Sequence, residues 1–432
     1  MLFACVSARA AQTIRFSATE IDTPSKYPSV RGGFGGSNDF EGVAVGDFNG
    51  DGNSDLALVT GTQGGAESNF ANTAVILIQF GNGDGTFHRG PLFSLNAPTP
   101  QSIGVADFNG DGNQDLALVN AGQFISVLLG NGDGTFQPEI RVAMPGFYFS
   151  SLVVGDFNRD GKSDIAVGDF MIAVLLGKED GTFQAPVTYK LAAIFRSWWT
   201  SSGDFNGDGN IDLVIGGTSI SKDNCVSLLL GKGDGTFQPA VALATGISHT
   251  YATSGAVGDF NGDGKLDVAV TTPGIDGFML PGNGNGTFGP AQFLTFDPRY
   301  PPNYTPFPSM VAADFDGDGK LDLVATSSGW IGLSVSRGKG DGTFYAPAYV
   351  HAMSPLHLAV GDFNKDGKPD LAASLSVTNY MSVSVLINTA GAPVPRTISH
   401  IAEGSGWRTT VILLNTGDEA AHFSLAFRSD GT

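Results

Sequence analysis

Residues 45–59 read VGDFNGDGNSDLALV, and this stretch decides the fold. It places Asp47, Asp51 and Asp55, with Asn49 among them, within nine residues between two short apolar runs. Like charges this close repel one another, so the chain must gather them around something. Nearly the same sequence returns six more times, and the seven acidic loops share the pattern D-x-[N/D]-x-D-G-x-x-D. We number the positions of each loop 1 to 9 in this order.

The acidic loops belong to a longer repeat with a period of 48 to 60 residues. In the first six units a Gly-rich turn ending in GTF follows each loop, as in GNGDGTF from Gly81. Short Val- and Leu-rich runs surround both motifs, which is typical of strands joined by hairpins. The sequence therefore predicts an all-β protein, a seven-bladed β-propeller of four-stranded blades. A calcium-binding parallel β-helix would need a period of about nine residues, which is much shorter.

The seventh unit lacks the GTF turn, whereas the segment TIRFSATEI (13–21) before the first unit has the pattern of a strand. We infer that this N-terminal strand completes the last blade, with the propeller spanning residues 12–390. Residues 1–11 read as the remnant of a secretory signal peptide with an Ala8-Arg9-Ala10 cleavage site. A lipobox that would acylate Cys5 is the weaker alternative. After cleavage only Cys225 remains, and its apolar surroundings predict a small buried hydrophobe.

The C-terminal residues 391–432 depart from the repeat. They begin with a Pro- and Gly-containing linker, and the runs WRTTVILLN and AHFSLAF then alternate as strands of an antiparallel sheet do. Two or three strands cannot bury a core. We therefore expect a truncated β-sandwich-like segment, similar to the start of an immunoglobulin-like domain.

The overall charge narrows the classes of partner. A formal net charge of −19 argues against nucleic acid, whose phosphates need clustered Lys and Arg, and favours cations. The sequence contains no run of 18 or more apolar residues, so it predicts no membrane-spanning helix. These features, together with the signal-like N-terminus, predict a secreted protein that is extracellular or at the cell surface.

The acidic loops have the composition of calcium sites. Side chains at positions 1, 3, 5 and 9 and the carbonyl at position 7 offer hard oxygen ligands, and Gly at position 6 permits a sharp turn. Zn²⁺ would favour His or Cys, which no loop contains. We therefore expect up to seven Ca²⁺ ions. The predicted ligand residues are Asp47, Asn49, Asp51, Asn53, Asp55, Asp107, Asn109, Asp111, Asn113, Asp115, Asp156, Asn158, Asp160, Lys162, Asp164, Asp204, Asn206, Asp208, Asn210, Asp212, Asp259, Asn261, Asp263, Lys265, Asp267, Asp314, Asp316, Asp318, Lys320, Asp322, Asp362, Asn364, Asp366, Lys368 and Asp370.

Two alternative interpretations of the acidic loops fit the sequence less well. An EF-hand needs a Glu at position 12 and a following helix, but position 12 is apolar in all seven loops, as at Leu58 and Leu118. Plain Asp/Gly turns without metal would leave unscreened carboxylates together, and these loops hold 22 of the chain's 42 acidic residues. The GTF turns differ, because Asn285 replaces their Asp in one copy, and we interpret them as hairpins.

These motifs resemble the FG-GAP/VCBS repeats and are similar to the calcium-binding blades of the integrin α-subunit propeller. The resemblance implies that the metal lies in the hairpin between the first two strands of each blade, and that the protein is a binding or adhesion module. Loops three and seven depart from the pattern with Arg159 and Lys365 at position 4, so we expect them to be the weakest sites.

Loop lengths vary on the face opposite the acidic loops, which we call the variable face. It is expected to carry many aromatic residues, and these either bind a protein or glycan partner or pack between the blades. They are Tyr27, Phe34, Phe147, Tyr148, Phe149, Trp198, Trp199, Tyr251, Tyr300, Tyr304 and Trp330, with Arg196 and His249 beside them.

A secreted carbohydrate-active or other hydrolytic enzyme is the alternative function. The sequence contains no HExxH, GxSxG or CxxC motif. A glycosidase would need two converging carboxylates on the variable face. The candidates are Asp22, Asp39, Glu41, Glu67, Asp169, Asp223, Asp276 and Asp297. We expect a monomeric propeller that acts by binding.

Overall fold

The computed structural model describes residues 14, 16–22, 40–62, 73–95, 97, 100–120, 124–144, 150–219, 224–246, 251–272, 276–295, 309–327, 332–350, 355–377 and 380–389. These residues form 28 β-strands in seven four-stranded antiparallel sheets, and the described part of the chain contains no helix. The predicted seven-bladed propeller is confirmed.

The first three blades follow the chain in order. Their strands are β2 (Phe40–Gly46), β3 (Asp55–Thr62), β4 (Thr73–Gly81) and β5 (Phe87–Leu95); β6 (Pro100–Ala106), β7 (Asp115–Asn120), β8 (Phe124–Leu128) and β9 (Ile140–Ala143); and β10 (Ser151–Gly155), β11 (Asp164–Gly168), β12 (Met171–Leu175) and β13 (Val187–Lys190). Each acidic loop joins the first and second strands of its blade, as the resemblance implied.

The next three blades repeat this plan. Their strands are β14 (Ile194–Gly203), β15 (Asp212–Ser219), β16 (Val226–Leu229) and β17 (Val241–Leu243); β18 (Ser254–Gly258), β19 (Asp267–Thr271), β20 (Asp276–Leu280) and β21 (Gln292–Thr295); and β22 (Met310–Ala313), β23 (Asp322–Ser327), β24 (Gly332–Ser336) and β25 (Ala348–Val350).

The seventh blade combines the two ends of the propeller. It contains β26 (Pro355–Gly361), β27 (Asp370–Val377), β28 (Tyr380–Asn388) and, as its outer strand, β1 (Phe16–Asp22). The β1–β28 register runs from Phe16 opposite Asn388 to Asp22 opposite Ser382. The inferred closure by the N-terminal strand is therefore confirmed.

The core lies between the blades. Seven clusters of buried apolar side chains each join two neighbouring blades, including blade 7 with blade 1, so the ring is closed. In β3, Leu56 and Leu58 pack toward blade 7 whereas Ala57 and Val59 pack toward blade 2. A strand that is buried on both faces reads as a continuous apolar run, which explains the LALV-type segments after each acidic loop.

Two details refine the sequence interpretation. In blade 3 the phenylalanine of the GTF turn, Phe183, makes only an isolated bridge to Gly177, and the fourth strand β13 begins later, at Val187. Cys225 is buried in the cluster between blades 4 and 5, and burial raises the pKa of its thiol to about 12, as expected of a small hydrophobe.

The predicted signal remnant (1–11) and the C-terminal segment (391–432) lie outside the described residues. Among the residues that are described, no helix is long and apolar enough to cross a membrane.

Candidate functional site

The carboxylate at position 1 organises each acidic loop. In the first loop Asp47 accepts hydrogen bonds from the backbone N–H groups of Gly50 (2.8 Å), Asp51 (3.2 Å) and Gly52 (2.8 Å). Gly52 has a φ of 79°, in the left-handed region that favours glycine, which accounts for the glycine at position 6. The chain therefore curls around the position-1 carboxylate and brings the other oxygen atoms of the loop to the same place.

The aspartate at position 9 has a structural role that sequence reasoning missed. Asp55 is fully buried and accepts the backbone N–H of Phe48 (2.9 Å) with Oδ2 and that of Gly81 (2.8 Å) with Oδ1. The same pair of bonds recurs in the first six blades, and Asn388 supplies the second donor in blade 7. The acidic loop and the GTF turn of a blade thus lie together on one face.

Burial governs the acidity of this aspartate. Desolvation raises the pKa of Asp55 to about 6 and that of Asp322 to about 7, although backbone donors oppose the shift. At position 5 the carboxylate lies near the surface, and the backbone N–H of Asn113 lowers the pKa of Asp111. Six of the loops therefore combine one buried carboxylate with two that lie nearer to solvent, and the sixth loop has a second buried carboxylate, Asp316.

The GTF turns also connect neighbouring blades. The N–H of Gly134 in the turn of blade 2 donates to the carbonyl of Phe48 in blade 1 at 2.8 Å, and the ring of Phe136 packs against Phe48. The aspartate of the turn binds its threonine, and Asn285 makes the same contacts to Thr287. A charge is therefore dispensable here, in agreement with the hairpin interpretation.

The sixth acidic loop brings three carboxylates together. Oxygen atoms of Asp314, Asp316 and Asp322 lie within 4.8 Å of one another, the one such group of acidic, His or Cys side chains in the described part of the chain. Carboxylate oxygens at this spacing suit a single hard cation with metal–oxygen bonds of about 2.3–2.6 Å. In the other six loops position 3 is asparagine, so an amide oxygen takes that place.

Arg337 compensates the extra carboxylate of the sixth loop. Its guanidinium forms an ion pair and a hydrogen bond with Oδ2 of the buried Asp316 and lies over the ring of Tyr345. Other blades have an apolar residue immediately before the turn glycine, such as Leu129. The aspartate at position 3 and the arginine before the turn glycine are both departures from the repeat. They occur in the same blade, and the sequence alone could have indicated the ion pair by this coincidence. The ion pair thus offsets the one negative charge that Asp316 adds to the sixth loop.

Basic side chains divide the loops into two kinds. In loops three, five, six and seven the position-7 residue is a lysine whose ammonium lies 3.2–3.6 Å from the position-5 carboxylate, as Lys162 does with Asp160. In loops one, two and four an asparagine takes this position. Backbone carbonyls, which are the ligands expected at position 7, are available in both kinds.

The two basic residues at position 4 reach the neighbouring blade. Arg159 and Lys365 have φ values of 61° and 57° where the other loops have glycine. A Cβ placed on Gly209 in loop four would lie 2.8 Å from Nη2 of Arg159, and one on Gly83 would lie 3.5 Å from Cδ of Lys365. Both side chains therefore lie over the next blade, and their charges act on loops four and one as well as on their own.

On the variable face, the neighbours Trp198 and Trp199 point in opposite directions. Trp199 is buried between blades 4 and 5, where a Cβ on Gly216 or Gly255 would lie within 2.4 Å of its ring. Trp198 is exposed and donates from Nε1 to Oγ1 of Thr218 at 2.8 Å. Packing between blades therefore describes Trp199, whereas the ring of Trp198 stays exposed on the surface.

Most of the other residues predicted for this face lie outside the described part of the chain. The structure describes the side chain of Asp169 alone among the eight candidate carboxylates, and it is buried. The side chains of Asp22, Glu41 and Asp276, and the whole of the residues that follow, lie outside the description: Tyr27, Phe34, Asp39, Glu67, Phe147, Tyr148, Phe149, Asp223, His249, Asp297, Tyr300, Tyr304 and Trp330.

Comparison with known families supports the repeat assignment. The model of the FG-GAP-like repeat matches residues 107–167, 204–270 and 314–373, and each match runs from one acidic loop through the next. The chain contains FG-GAP-like repeats. The seven-bladed ring is consistent with the FG-GAP propeller of the integrin α-subunit, and six of the seven acidic loops lie in the matched residues.

Two curated relatives share part of this FG-GAP-like propeller. Cartilage acidic protein 1 of Xenopus tropicalis is 28% identical over 217 residues, 46% of this chain and 32% of that protein. Phosphatidylinositol-glycan-specific phospholipase D of Rattus norvegicus is 28% identical over 237 residues, 48% of this chain and 27% of that protein. The chain therefore matches about a third or less of the length of these relatives.

Solved structures resemble the fold. BBS1N, crystallised in complex with ARL6DN, superposes with a TM-score of 0.52 at 14% identity, covering 82% of this chain and 94% of that one. The BP39L lectin from Burkholderia pseudomallei gives a TM-score of 0.56 at 14% identity, with coverages of 82% and 97%. At these identities the likeness concerns the propeller fold alone.

Proposed function

We propose that this FG-GAP-like protein is a secreted, calcium-binding propeller that acts as a binding or adhesion module for a protein or glycan ligand. The observation that carries the proposal is the contrast between the two faces of the ring. One face repeats the same acidic loop and turn, joined by buried hydrogen bonds. The other varies in loop length and exposes the aromatic side chains of Phe170, Phe195, Trp198 and Tyr251.

The acidic loops would bind Ca²⁺, up to seven ions in all. The side chains at positions 1, 3, 5 and 9 and the carbonyl at position 7 would hold each ion, and its two positive charges would offset two of the three carboxylate charges that most loops contain. The grouping of Asp314, Asp316 and Asp322 supports this assignment, as does the all-oxygen donor set. When bound, calcium supplies positive charge and crosslinks the loop; the ring itself supplies the binding surface.

A location outside the cell fits this chemistry. Extracellular modules bind calcium with dissociation constants of about 0.1–1 mM, which suits the millimolar calcium of that compartment. The signal-like N-terminus agrees with secretion. The propeller sequence has no cysteine pair, which agrees with a fold held by metal and packing. The propeller is proposed to be monomeric.

Binding to printed arrays tests this proposal. The labelled full chain would be applied to arrays of glycans and of extracellular proteins, in calcium and again in EGTA. We expect a reproducible set of ligands that is bound in calcium and lost in EGTA. Failure to bind any spot would contradict a binding module, and cleavage of a bound glycan would favour the alternative of a hydrolytic enzyme.

A further inference from the structure

The first strand of blade 4 differs from its counterparts. Strand β14 has ten residues, whereas the first strands of the other blades have four to seven. Ala193, just before it, has a φ of 61°, and in the described part of the chain it is the one non-glycine residue outside the acidic loops with positive φ. The hydroxyls of Ser219 and Ser227 hold this turn by donating to the carbonyls of Ala193 and Ala192. The left-handed backbone at Ala193, just before β14, is therefore held in place by hydrogen bonds from blade 4 itself.

Two β-bulges turn aromatic side chains outward from β14. Ile194 and Arg196 pair with consecutive residues of β15, and so do Ser197 and Trp199. Phe195 and Trp198 are therefore the extra residues of the two bulges. These residues are 59% and 39% exposed. Bulges commonly re-aim side chains beside functional sites. Here they bring two large rings out of a strand whose intervening Ser197 stays buried.

Neighbouring blades extend this exposed surface. Phe170 of blade 3, 45% exposed, packs edge-on against Phe195 with ring centroids 5.2 Å apart. Tyr251 of blade 5, 41% exposed, forms a backbone bridge to Thr218, the residue that accepts the hydrogen bond of Trp198. The guanidinium of Arg196 lies 4.7 Å from the ring centre of Trp198. We call Phe170, Phe195, Arg196, Trp198 and Tyr251 the aromatic patch.

The segment that carries much of the aromatic patch contains buried polar groups that lower stability. The buried hydroxyl of Ser197 and the indole N–H of Trp199 have no hydrogen-bond partner among the described residues. Strain, unsatisfied polar groups and exposed rings each cost free energy, and such costs gather at functional sites. Their coincidence within Ala193–Trp199 is the reason to look for a ligand here.

The aromatic patch is mainly apolar and carries one cation, Arg196, and one phenolic hydroxyl, that of Tyr251. Among the nearby hydroxyls, that of Ser150 donates to the carbonyl of Ser197, that of Ser151 bonds to Thr200, and that of Ser197 is buried. In the described part of the chain Arg196 forms no ion pair, although the protein carries a formal charge of −19. Its planar guanidinium, stacked on Trp198, keeps N–H groups that suit a carboxylate.

We propose that the aromatic patch binds a segment of a protein partner that presents an apolar side chain next to a carboxylate. The inference rests on the proposed binding function and gives it a place and a class of ligand. Trp, Tyr and Arg are the residues that dominate protein–protein binding energies, and Trp198 is already held in place by Thr218. A glycan would need several free hydrogen-bonding groups around the rings, whereas the five patch residues offer only the Arg196 guanidinium and the Tyr251 hydroxyl, since the indole N–H of Trp198 is bonded to Thr218.

Selection from a random peptide library tests the proposal. A phage library of random dodecapeptides would be panned on the calcium-loaded full chain, and enriched peptides would be measured against Arg196→Ala, Arg196→Lys and Trp198→Ala. Phe293→Ala is the matched control, because Phe293 is 71% exposed but lies on β21 at the outside of blade 5. Melting temperatures would verify that every variant is folded.

We expect enriched peptides to carry Asp or Glu beside an aliphatic or aromatic residue. Arg196→Ala and Trp198→Ala should weaken binding by at least about tenfold, Arg196→Lys by less, and Phe293→Ala by under about twofold. Changing the acidic residue of the peptide to its amide should cost as much as Arg196→Ala, and the two changes should not add.

Three results would overturn the inference, and they differ in whether the proposed binding function survives. Peptides that bind the patch variants as well as the parent protein would move the site elsewhere and leave the binding function intact. An oligosaccharide array bound by the parent but not by Trp198→Ala would replace the protein partner with a glycan. If neither the library nor the array yields a ligand for the parent protein, the inference and the proposed function both fail.

Discussion

The side-chain amide of Asn388 donates a hydrogen bond to the main-chain carbonyl of Phe315 at 2.7 Å. In five other blades a turn glycine makes this bond to the preceding blade, as Gly85 does to Phe363. Phe16 from the N-terminal strand packs against Phe315 as the GTF phenylalanines pack elsewhere. Blade 7 therefore lacks the turn but keeps its contacts, and the two ends of the propeller close the ring with the same chemistry.

Asn388→Ala should weaken this closure. The substitution leaves the carbonyl of Phe315 without its donor in a buried place, which typically costs about 1–3 kcal/mol of unfolding free energy. Asn131→Ala is the control, because Asn131 makes only an exposed bond to Thr135 and should cost under about 0.5 kcal/mol. Urea unfolding in calcium measures both. Equal losses for the two variants would show that the closure does not depend on Asn388.

Asp115 and Asp111 should respond differently to the removal of calcium. Asp115→Ala orphans the buried N–H groups of Phe108 and Gly130, so we expect a loss of about 2–4 kcal/mol that persists in EGTA and is larger in calcium, where a metal ligand is lost as well. Asp111→Ala removes a near-surface carboxylate and should cost about 1 kcal/mol in calcium but little in EGTA. Chemical unfolding in both conditions compares them. An Asp115→Ala variant as stable as the parent in EGTA would refute the structural role of position 9.

Much of this architecture was predictable because it repeats. The period of the acidic loops gave the number of blades, and the mismatch between seven loops and six GTF turns predicted the closing strand. The buried role of Asp55 was not predictable, since position 9 also fits the spacing of a metal ligand. The amide N–H groups that it binds belong to residues 7 and 26 positions away.

The contacts between repeats were not predictable from the sequence for a related reason. Arg159 acts on a loop of the next blade, and a pattern defined within one repeat holds no information about which neighbour a long side chain reaches. Trp198 and Trp199 are predicted to lie on one face of the ring, but Trp199 is buried between blades 4 and 5, whereas Trp198 is the extra residue of a bulge and stays exposed. Bulges depend on local backbone geometry, which apolar alternation does not specify.

Arg159→Gly should strengthen calcium binding at the neighbouring fourth loop. The change relieves the left-handed backbone at position 4 and removes a cation from beside Asp208. The gain should be largest at low ionic strength and fade near 0.5 M salt, where charges more than about 4 Å apart are screened. Chelator competition measures the affinity, and Arg159→Lys, which keeps the charge, is the control. Identical calcium affinities for the two variants would contradict this electrostatic coupling.

His357 should make the propeller less stable in acid. Burial lowers the pKa of its imidazole to about 4, below the ordinary value of 6.5. Between these values the unfolded chain binds the proton and the folded protein does not, so stability falls as pH drops below 6.5. At pH 5 the loss should reach about 2 kcal/mol. His357→Gln removes this contribution, so its unfolding free energy should fall less between pH 7 and pH 5 than that of the parent. Parallel pH profiles would contradict the assignment.

The most direct test of the account is the number of calcium ions bound per chain, measured by elemental analysis beside a thermal melt. At about 1 mM calcium and a dissociation constant of about 0.1 mM, each site contributes about 1.4 kcal/mol, and seven independent sites about 10 kcal/mol. We expect at least about four ions per chain and a melting temperature that EGTA lowers sharply and Mg²⁺ restores little. Fewer ions, or a melt indifferent to chelation, would show that the acidic loops are turns without metal.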